Sequence, residues 1–239
     1  MEIRWLGHSA FEIISDDDVH ILIDPFISNN PACPVPVEEL NPDIILITHG
    51  HSDHLGDALD ISNSTNAPVA AIHEVSLFLS KQGIETIGVN IGGSFIFRDI
   101  KFTMLDAKHS SDIDIVEETV PGGAAASFLI TFKDGTSIFH CGDTGLFGDM
   151  KTIIGDIYKP DIVMVPIGDK FTMGPFEAAL ASMWLNPKVT IPMHYNTFPP
   201  IEQDPAIFSN FVNQFNPKIS VVIMNPDEYY DFNPEEFQD

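Results

Sequence analysis

The chain has 239 residues, 44% of them hydrophobic, with 35 acidic and 11 basic residues and a formal net charge of −24. Its length allows one large domain or two small ones with a sizeable core. The charge argues against a nucleic-acid-binding surface, because affinity for phosphates comes largely from Lys and Arg. No apolar run approaches the roughly 18 residues of a membrane span.

The N-terminal segment MEIRWLGHSAFEII lacks the basic region and the following apolar region of a signal peptide. We therefore expect a soluble cytoplasmic protein. The two cysteines, Cys33 and Cys141, would allow one disulfide, but nothing else in the sequence indicates a disulfide-rich secreted scaffold. Free thiols are the expectation.

The first elements along the chain are predicted to form a β-hairpin. The alternating stretch 2–14 and the apolar run 19–26 flank the acidic turn SDDD, which is typical of two strands joined by a turn. The segment 28–42 is rich in Pro and Asn and predicts a loop.

After this loop, short apolar runs of strand length alternate with polar or helical segments. The strand candidates are 44–47, 69–72, 102–105, 127–132, 137–140, 162–165, 189–192 and 219–223. The helix candidates are 55–61, 74–82, 148–157, 175–185 and 204–215, the last with Asp204 as N-cap before Pro205. Many of the strand runs are too uniformly apolar to leave one face in water. The pattern therefore predicts sheets covered by helices, an α/β sandwich.

A histidine or an aspartate follows four of these apolar runs within a few residues. The residues are His49, His109, Asp143 and His194. Ligands of open sheets collect outside the strand ends, where side chains from several strands can converge. Together the four residues predict one shared site.

The segment THGHSDHLGD, residues 48–57, contains three of the nine histidines of the chain. His49 and His51 are two positions apart, so in an extended segment both rings point to the same side and can reach one ion. Asp53 and His54 enter the helical pattern that follows and project in other directions. They can therefore serve a second ion nearby.

The candidate ligands divide into two sets that share one residue. The sets are His49, His51 and His109 for one ion, and Asp53, His54 and His194 for a second, with Asp143 as the bridge. Hydrolytic sites with two metals hold the ions about 3.5–4 Å apart, which fits this supply of ligands. Imidazole with some carboxylate suits Zn first, with Mn or Fe as alternatives.

These residues resemble the motifs of a known family. HGHSDH resembles the H-x-H-x-D-H signature of the metallo-β-lactamase superfamily, and His109, Asp143 in HCGDTG and His194 resemble its later ligand motifs in the same order. The phrases GHSAFEI, ILIDPF, DKFTMGP and IPMHYNTFP are most similar to a branch of small metal-dependent hydrolases related to the ascorbate-6-phosphate lactonase-like proteins. The resemblance covers nearly the whole chain.

The resemblance implies an αββα sandwich in which residues 1–239 form a single metallo-hydrolase domain built of two βα halves. It implies a dinuclear metal-dependent hydrolase that uses a metal-bridging hydroxide on a small ester, lactone or phosphoester. Asp53 is the candidate catalytic residue, which would orient the nucleophile and shuttle its proton. In some members a Cys occupies the second site. Here Asp143 takes that role, and Cys141 is expected to pack in the structure.

Four further residues are candidate partners of the site. Asp24 resembles an aspartate that orients a metal-bound imidazole, with a turn cap before Pro25 as the alternative. His8 in the GHS phrase would contact substrate or a ligand, unless it is an ordinary hairpin residue. Tyr195 and Asn196 directly follow a ligand and would contact substrate, with packing as the alternative.

Three histidines stand outside the predicted site. His20 is expected to be exposed, His140 to be packed within its strand, and His73 to lie at a helix N-terminus.

Two other functions remain as alternatives. A nuclease resembling ribonuclease Z would share H-x-H-x-D-H, but the net charge disfavours it. A redox or non-catalytic use of the fold is disfavoured by the complete set of ligands. We expect a small-molecule substrate, no nucleic acid and no membrane partner, and we leave a homo-oligomer open. The substrate and the native metal are not determined by the sequence.

Overall fold

Two seven-stranded β-sheets organise the fold of residues 1–115 and 117–237, which are the residues that the computed structural model describes. In chain order the strands are β1 (Glu2–Trp5), β2 (Phe11–Ile14), β3 (His20–Ile23), β4 (Ile44–Ile47), β5 (Val69–Ile72), β6 (Thr86–Val89), β7 (Ser94–Phe97), β8 (Ile100–Asp106), β9 (Asp112–Ile113), β10 (Val120–Pro121), β11 (Ala126–Thr131), β12 (Ser137–His140), β13 (Ile162–Pro166), β14 (Val189–Met193), β15 (Ser220–Val221) and β16 (Tyr229–Asp231). The helices are α1 (Ser52–Leu55), α2 (Ala58–Thr65), α3 (His73–Lys81), a π-type helix Met150–Tyr158, α4 (Pro175–Leu185) and α5 (Pro205–Phe215).

The two sheets are both mixed. The first has the strand order β16-β1-β2-β3-β4-β5-β6, with β3 to β6 parallel, and the second has the order β15-β14-β13-β12-β11-β8-β7, with β12 to β15 parallel. A small ladder joins β9 to β10. Helix α3 packs against β5 and β6, and α4 packs against β13, α5 and the π-type helix. This arrangement of two sheets flanked by helices confirms the predicted αββα sandwich.

The central strands are buried along their whole length. Every residue of β4, β5, β12, β13 and β14 is buried. A strand that has no solvated face must be covered on both sides, here by the other sheet and by helices. The predicted strand runs from 44–47 to 189–192 each coincide with an observed strand to within about two residues. Uniform apolarity was therefore a sound signal for them.

Three predicted elements differ from the observed ones. The stretch 2–14 is two strands rather than one, because the chain turns over residues 6–10, where Gly7 has a φ of +90°. The π-type helix begins at Met150, and the run 219–223 contributes only the short strand β15. The acidic turn between β2 and β3 does form a hairpin, with Phe11 paired to Ile23.

The predicted helix 55–61 is also wrong, because it divides at Gly56. This glycine has a φ of +43° and ends α1, and α2 begins two residues later. A β-carbon at Gly56 would lie 2.7 Å from the carbonyl carbon of Pro25 and 2.8 Å from Cα of Phe26. The close approach lets the loop after β3 pack directly against the helix that follows the histidine cluster.

Several features away from the site also agree with the sequence. Asp204 caps α5, since its carboxylate accepts a hydrogen bond of 2.9 Å from the backbone N–H of Ala206. Cys33 is half-buried, Cys141 is buried, and both are free thiols. Within residues 1–115 and 117–237, no helix combines the length and the apolar character that crossing a membrane requires.

The conformation of Gly56 gives the first testable prediction. We expect Gly56→Ala to lower the free energy of unfolding by about 3 kcal/mol or more, because it adds a backbone clash to an unfavourable φ. Gly83→Ala is the matched control. Its φ is +90°, but nothing lies within 4 Å of the added carbon, so the loss should be about 1–2 kcal/mol. Urea denaturation measures both, and equal losses would refute the role of the close approach.

Candidate metal centre

The predicted ligands meet at one edge of the sandwich because of the strand directions. Strands β8 and β12 are each antiparallel to β11, so they run the same way, and β13 and β14 are parallel to β12. The carboxyl ends of β8, β12 and β14 therefore lie at the same edge, and His109, Asp143 and His194 follow them. Strand β4 of the other sheet supplies His49. Two backbone hydrogen bonds join the sheets there, from His194 N–H to the His8 carbonyl and from Ala126 N–H to the Thr48 carbonyl.

The histidine cluster changes direction between β4 and α1, as predicted. His49 Nε2 lies 2.9 Å from His51 Nδ1, so the two rings present their nitrogens to the same point. His51 has extended backbone angles and precedes the first residue of α1. The helix then turns Asp53 and His54 toward a different part of the edge.

Asp143 is the point on which the other ligands converge. Its carboxylate is 2.9 Å from His194 Nε2, 3.3 Å from His54 Nε2 and 3.6 Å from His109 Nε2. Both Asp143 and His54 are buried. One buried carboxylate thus faces imidazoles that come from three separate segments of the chain.

The side chains form three overlapping groups. Within each group, the candidate ligand atoms all lie within 4.8 Å of one another. The groups are His49, His51 and His109; His8, Asp53, His54 and His194; and His49, His54 and Asp143. All seven residues that the sequence named as ligands are present in these groups. The first two groups correspond to the two predicted sets, with His8 added to the second, and the third connects them.

The charges at the centre favour a cation between the ligands. Burial by itself lowers the pKa of His54, but the carboxylates of Asp143 and Asp24 outweigh it and hold that pKa well above its ordinary value. Burial raises the pKa of Asp143, but His194 and His54 outweigh this effect and hold it well below its usual range. The buried carboxylates therefore stabilise a positive charge at the point where His54 and Asp143 meet.

The surroundings of His49 and His109 favour the neutral form of each imidazole. Burial and the neighbouring His54 hold the pKa of His49 well below its ordinary value, and burial lowers the pKa of His109. A neutral imidazole is the form that binds a metal ion. Both residues can therefore offer a nitrogen lone pair near neutral pH.

Asp24 fixes which nitrogen of His49 and His54 faces the centre. Asp24 is fully buried, and its carboxylate accepts hydrogen bonds from the Thr48 N–H at 2.8 Å, the Thr48 hydroxyl at 2.7 Å and His54 Nδ1 at 2.7 Å. Because the Thr48 hydroxyl donates to Asp24, it accepts from His49 Nδ1 at 3.0 Å. Both histidines thus donate through Nδ1 and turn Nε2 toward the centre.

His8 orients the carboxylate of Asp53 through a hydrogen bond. The turn over residues 6–10 buries His8 completely, with Nε2 3.2 Å from Asp53 Oδ2 and Nδ1 2.9 Å from Thr197 Oγ1. Burial and the neighbouring His194 lower the pKa of His8 to about 4. A neutral His8 with Nε2–H can donate to Asp53 and accept from the Thr197 hydroxyl. Burial raises the pKa of Asp53, but the hydrogen bond from His8 and the nearby His54 hold it below its usual range.

Unpaired buried atoms test whether these residues fit metal ions. His54 Nε2, Asp143 Oδ1 and His194 Nδ1 are buried and have no hydrogen-bond partner among the residues that the structure describes. Buried polar atoms are nearly always paired, so such a cluster requires an explanation. The orphaned atoms of His54 and Asp143 face each other at the centre, and imidazole nitrogen with carboxylate oxygen is a donor set that suits divalent transition metals. The residues therefore fit the metal that the sequence predicts.

A cleft of about 770 Å³ opens above the centre. Five of the predicted ligands line it, together with Ser52, Ser110 and Asp114; these ligands are His51, Asp53, His109, Asp143 and His194. Three phenylalanines line it as well, namely Phe26, Phe171 and Phe198. The volume falls in the range of small-molecule sites, about 300–1,000 Å³.

None of the four candidate partners lines this cleft, and of the four only His8 and Asp24 form hydrogen bonds with ligands in the described part of the chain. Tyr195 is buried and stacks on Trp5 at 5.5 Å between ring centroids, and burial raises its pKa to about 12. Asn196 is exposed, and its side chain accepts a hydrogen bond from the Gln203 N–H at 2.8 Å. A left-handed backbone at His194 and Asn196 turns the chain, so neighbours of a ligand in sequence face away from it.

Other contributing residues were missing from the sequence interpretation. Thr48 directly precedes His49, and Ser110 directly follows His109 with its hydroxyl 3.3 Å from His51 Nε2, so adjacency to a ligand was an available signal. Asp114 accepts a 2.6 Å hydrogen bond from the Ser52 N–H. The role of Thr197 could not be predicted from the sequence, because its partner His8 is separated from it by most of the chain.

The histidines left outside the site lie where they were expected, with one difference. His140 is buried, with Nε2 3.0 Å from the Ser9 carbonyl, and His73 is exposed at the start of α3. His20 was expected to be exposed but is half-buried, since its ring contacts Glu12 at 3.2 Å across the β2–β3 hairpin.

Comparisons with known proteins identify the family of the chain. Residues 20–195 match the family described as the beta-lactamase superfamily domain. The chain is 77% identical, over the full length of both proteins, to a UPF0173 metal-dependent hydrolase of Methanobrevibacter smithii. It is 53% identical to one of Methanosphaera stadtmanae, over 96% of this chain and 99% of that protein.

Among solved structures, the chain is similar to Igni18, a metallo hydrolase from the archaeon Ignicoccus hospitalis. The TM-score is 0.86 at 38% identity, over 97% of this chain and 99% of the other. The length of these matches includes every predicted ligand. The chain therefore belongs to the beta-lactamase superfamily, and specifically to its metal-dependent hydrolases.

Proposed function

We propose that the protein is a dinuclear hydrolase that cleaves a small ester, lactone or phosphoester. The observation that carries the proposal is the convergence of two ligand groups, His49–His51–His109 and Asp53–His54–His194, on the buried carboxylate of Asp143. One ion would not use all of these donors, whereas two neighbouring ions would. Zn is the first candidate because most of the donors are imidazoles, with Mn or Fe as alternatives.

The chemistry divides between the cations and the side chains. Divalent cations held by these residues would lower the pKa of a water molecule and polarise the electrophilic oxygen of the substrate. Asp53 accepts a hydrogen bond at Oδ2 from His8, which orients its carboxylate among the ligands, where it can accept the proton of the attacking water. Its lowered pKa keeps the carboxylate ionised for this role.

The remaining residues act by position. Asp24, through Thr48 and directly, keeps His49 and His54 in the form that turns Nε2 inward. The three phenylalanines give part of the cleft an apolar lining. We infer a small-molecule substrate from the size of the cleft.

A nuclease function is less well supported. Among the described residues, the cleft is lined by no lysine or arginine, and a polynucleotide would meet a chain with a net charge of −24.

Metal binding gives a direct test of the dinuclear centre. We expect purified protein to hold two equivalents of Zn or Mn per chain, measured by elemental analysis after dialysis, and to melt at a higher temperature with the metal. Asp143→Asn should reduce the stoichiometry to one or less, because it removes the shared carboxylate. The control is Asp106→Asn, at the end of β8, where the carboxylate pairs with Lys108 instead. Protein that binds neither metal, with an unchanged melting temperature, would disprove the proposal.

Activity gives an independent test. In a panel of lactones, thioesters, esters and phosphodiesters, His51→Ala should lower kcat/KM for any substrate found by on the order of 10³-fold. The fold should survive, since His51 lies at the surface of the cleft and its side chain is half-buried. His73→Ala, an exposed histidine that also follows a strand, should retain wild-type activity. Full activity in His51→Ala would remove the cluster from the mechanism.

A further inference from the structure

One wall of the cleft is aromatic. The rings of Phe26 and Phe198 are 6.1 Å apart, and each lies edge-on to His8, at 5.6 and 5.7 Å. Phe171, from the loop before α4, also lines the cleft and is 54% exposed. We name these three residues the phenylalanine collar.

The exposure of Phe171 distinguishes it from a packing residue. Phe26 is buried and Phe198 is half-buried, so both have partners within the protein. Phe171 instead is largely exposed and lines the cleft, with the Lys170 ammonium 5.3 Å from its ring centre. An exposed aromatic ring at the mouth of a pocket gains stability when an apolar group of a ligand covers it.

The charges around the cleft have one sign. Its acidic side chains are Asp53, Asp114 and Asp143, and in the described part of the chain no lysine or arginine lines it. Two divalent ions would bring four positive charges, of which the carboxylates of Asp53, Asp143 and Asp24 would offset three, while Asp114 adds a further negative charge to the lining of the cleft. Little positive charge is then left for a phosphate or a carboxylate of the substrate.

Two lysines, Lys108 and Lys170, directly precede residues that line the cleft. Lys108 pairs with Asp106, and its ammonium lies 5.4 Å from the ring centre of Phe147. Lys170 lies 5.3 Å from the ring centre of Phe171 and is exposed. Sites that recognise phosphate use Arg or Lys aimed at the anion, and neither lysine lines the cleft.

We propose that the substrate is a neutral carboxylic ester, thioester or lactone with an aromatic or bulky alkyl group that packs against the phenylalanine collar, and not a phosphoester. This inference rests on the proposed hydrolase function and narrows it. In the reaction, the oxygen of water bonds to the acyl carbon, the bond from that carbon to the leaving oxygen or sulfur breaks, and the leaving group takes a proton.

Two probes with the same leaving group isolate the effect of charge. 4-Nitrophenyl butyrate is neutral and 4-nitrophenyl phosphate is anionic, and both release 4-nitrophenol. We expect metal-loaded protein to hydrolyse the butyrate with a kcat/KM at least about 100-fold above that for the phosphate. Equal rates, or a preference for the phosphate, would overturn the inference while leaving the proposed hydrolase in place.

A pair of variants isolates the collar. Phe171→Ala should raise KM for 4-nitrophenyl butyrate about tenfold with kcat nearly unchanged, because it removes an apolar contact made before and during the reaction. Phe176→Ala is the matched control, since Phe176 is 46% exposed but packs on Phe211 of α5, at 5.3 Å between ring centroids. Its KM should be that of the wild type. Equal KM values in the two variants would refute the collar.

Binding without turnover separates the two proposals. In the His51→Ala background, calorimetry should detect 4-nitrophenyl butyrate, with a Kd about tenfold weaker when Phe171→Ala is added. If Phe171→Ala weakens binding in this way but wild-type protein cleaves no ester, the role of the collar is supported and the proposed hydrolase function is refuted. If the protein cleaves esters and Phe171→Ala leaves the Kd unchanged, the role of the collar is refuted and the proposed hydrolase function is supported.

Discussion

The buried carboxylate of Asp24 is the interaction on which the site depends. An ionised carboxylate away from water is costly unless its oxygens are hydrogen-bonded, and Asp24 meets this requirement with the N–H and hydroxyl of Thr48 and with His54 Nδ1. The same bonds tie the end of β3 to the end of β4 and to α1. Satisfying one buried charge thus determines the orientation of two imidazoles and the position of the turn between them.

The backbone at the site is bent in ways that most side chains avoid. His8, Asp24 and His194 all have positive φ values, of 57°, 46° and 55°, although left-handed angles are uncommon for residues other than glycine. Each of these residues comes at a point where the chain reverses after a strand or between two strands. The unfavourable angles are maintained by the surrounding packing, as is common at functional sites. They allow strand ends to aim polar side chains inward instead of along the strand.

The sequence was informative where one local rule decided the outcome. Uniformly apolar runs predicted the buried strands, and the spacing of His49, His51, Asp53 and His54 predicted two directions of approach, which the change from β4 to α1 provides. The turn at residues 6–10 was missed because its flanking strands together read as one alternating stretch. The division at Gly56 was missed because its cause is a contact with Pro25, about thirty residues away in the chain. Contacts of this kind depend on tertiary packing. The phenylalanine collar was missed for the same reason, because most of the 18 phenylalanines pack in or against the core and the sequence does not distinguish these three from the others.

The charge of the chain and the composition of the centre can be understood together. Asp24, Asp53 and Asp143 bring three carboxylates to one edge of the sandwich, and His54 alone does not balance them. A surface with a net charge of −24 raises the local concentration of cations, so it favours filling of the centre and disfavours approach of anionic ligands. The unfolded chain does not hold the ligands together, and therefore metal binding stabilises the folded state, by about 2.7 kcal/mol for each ion present at 100 times its Kd. The acidic composition disfavours nucleic acid as a partner, and it is the composition expected if the proposed centre binds divalent cations and acts on a neutral substrate.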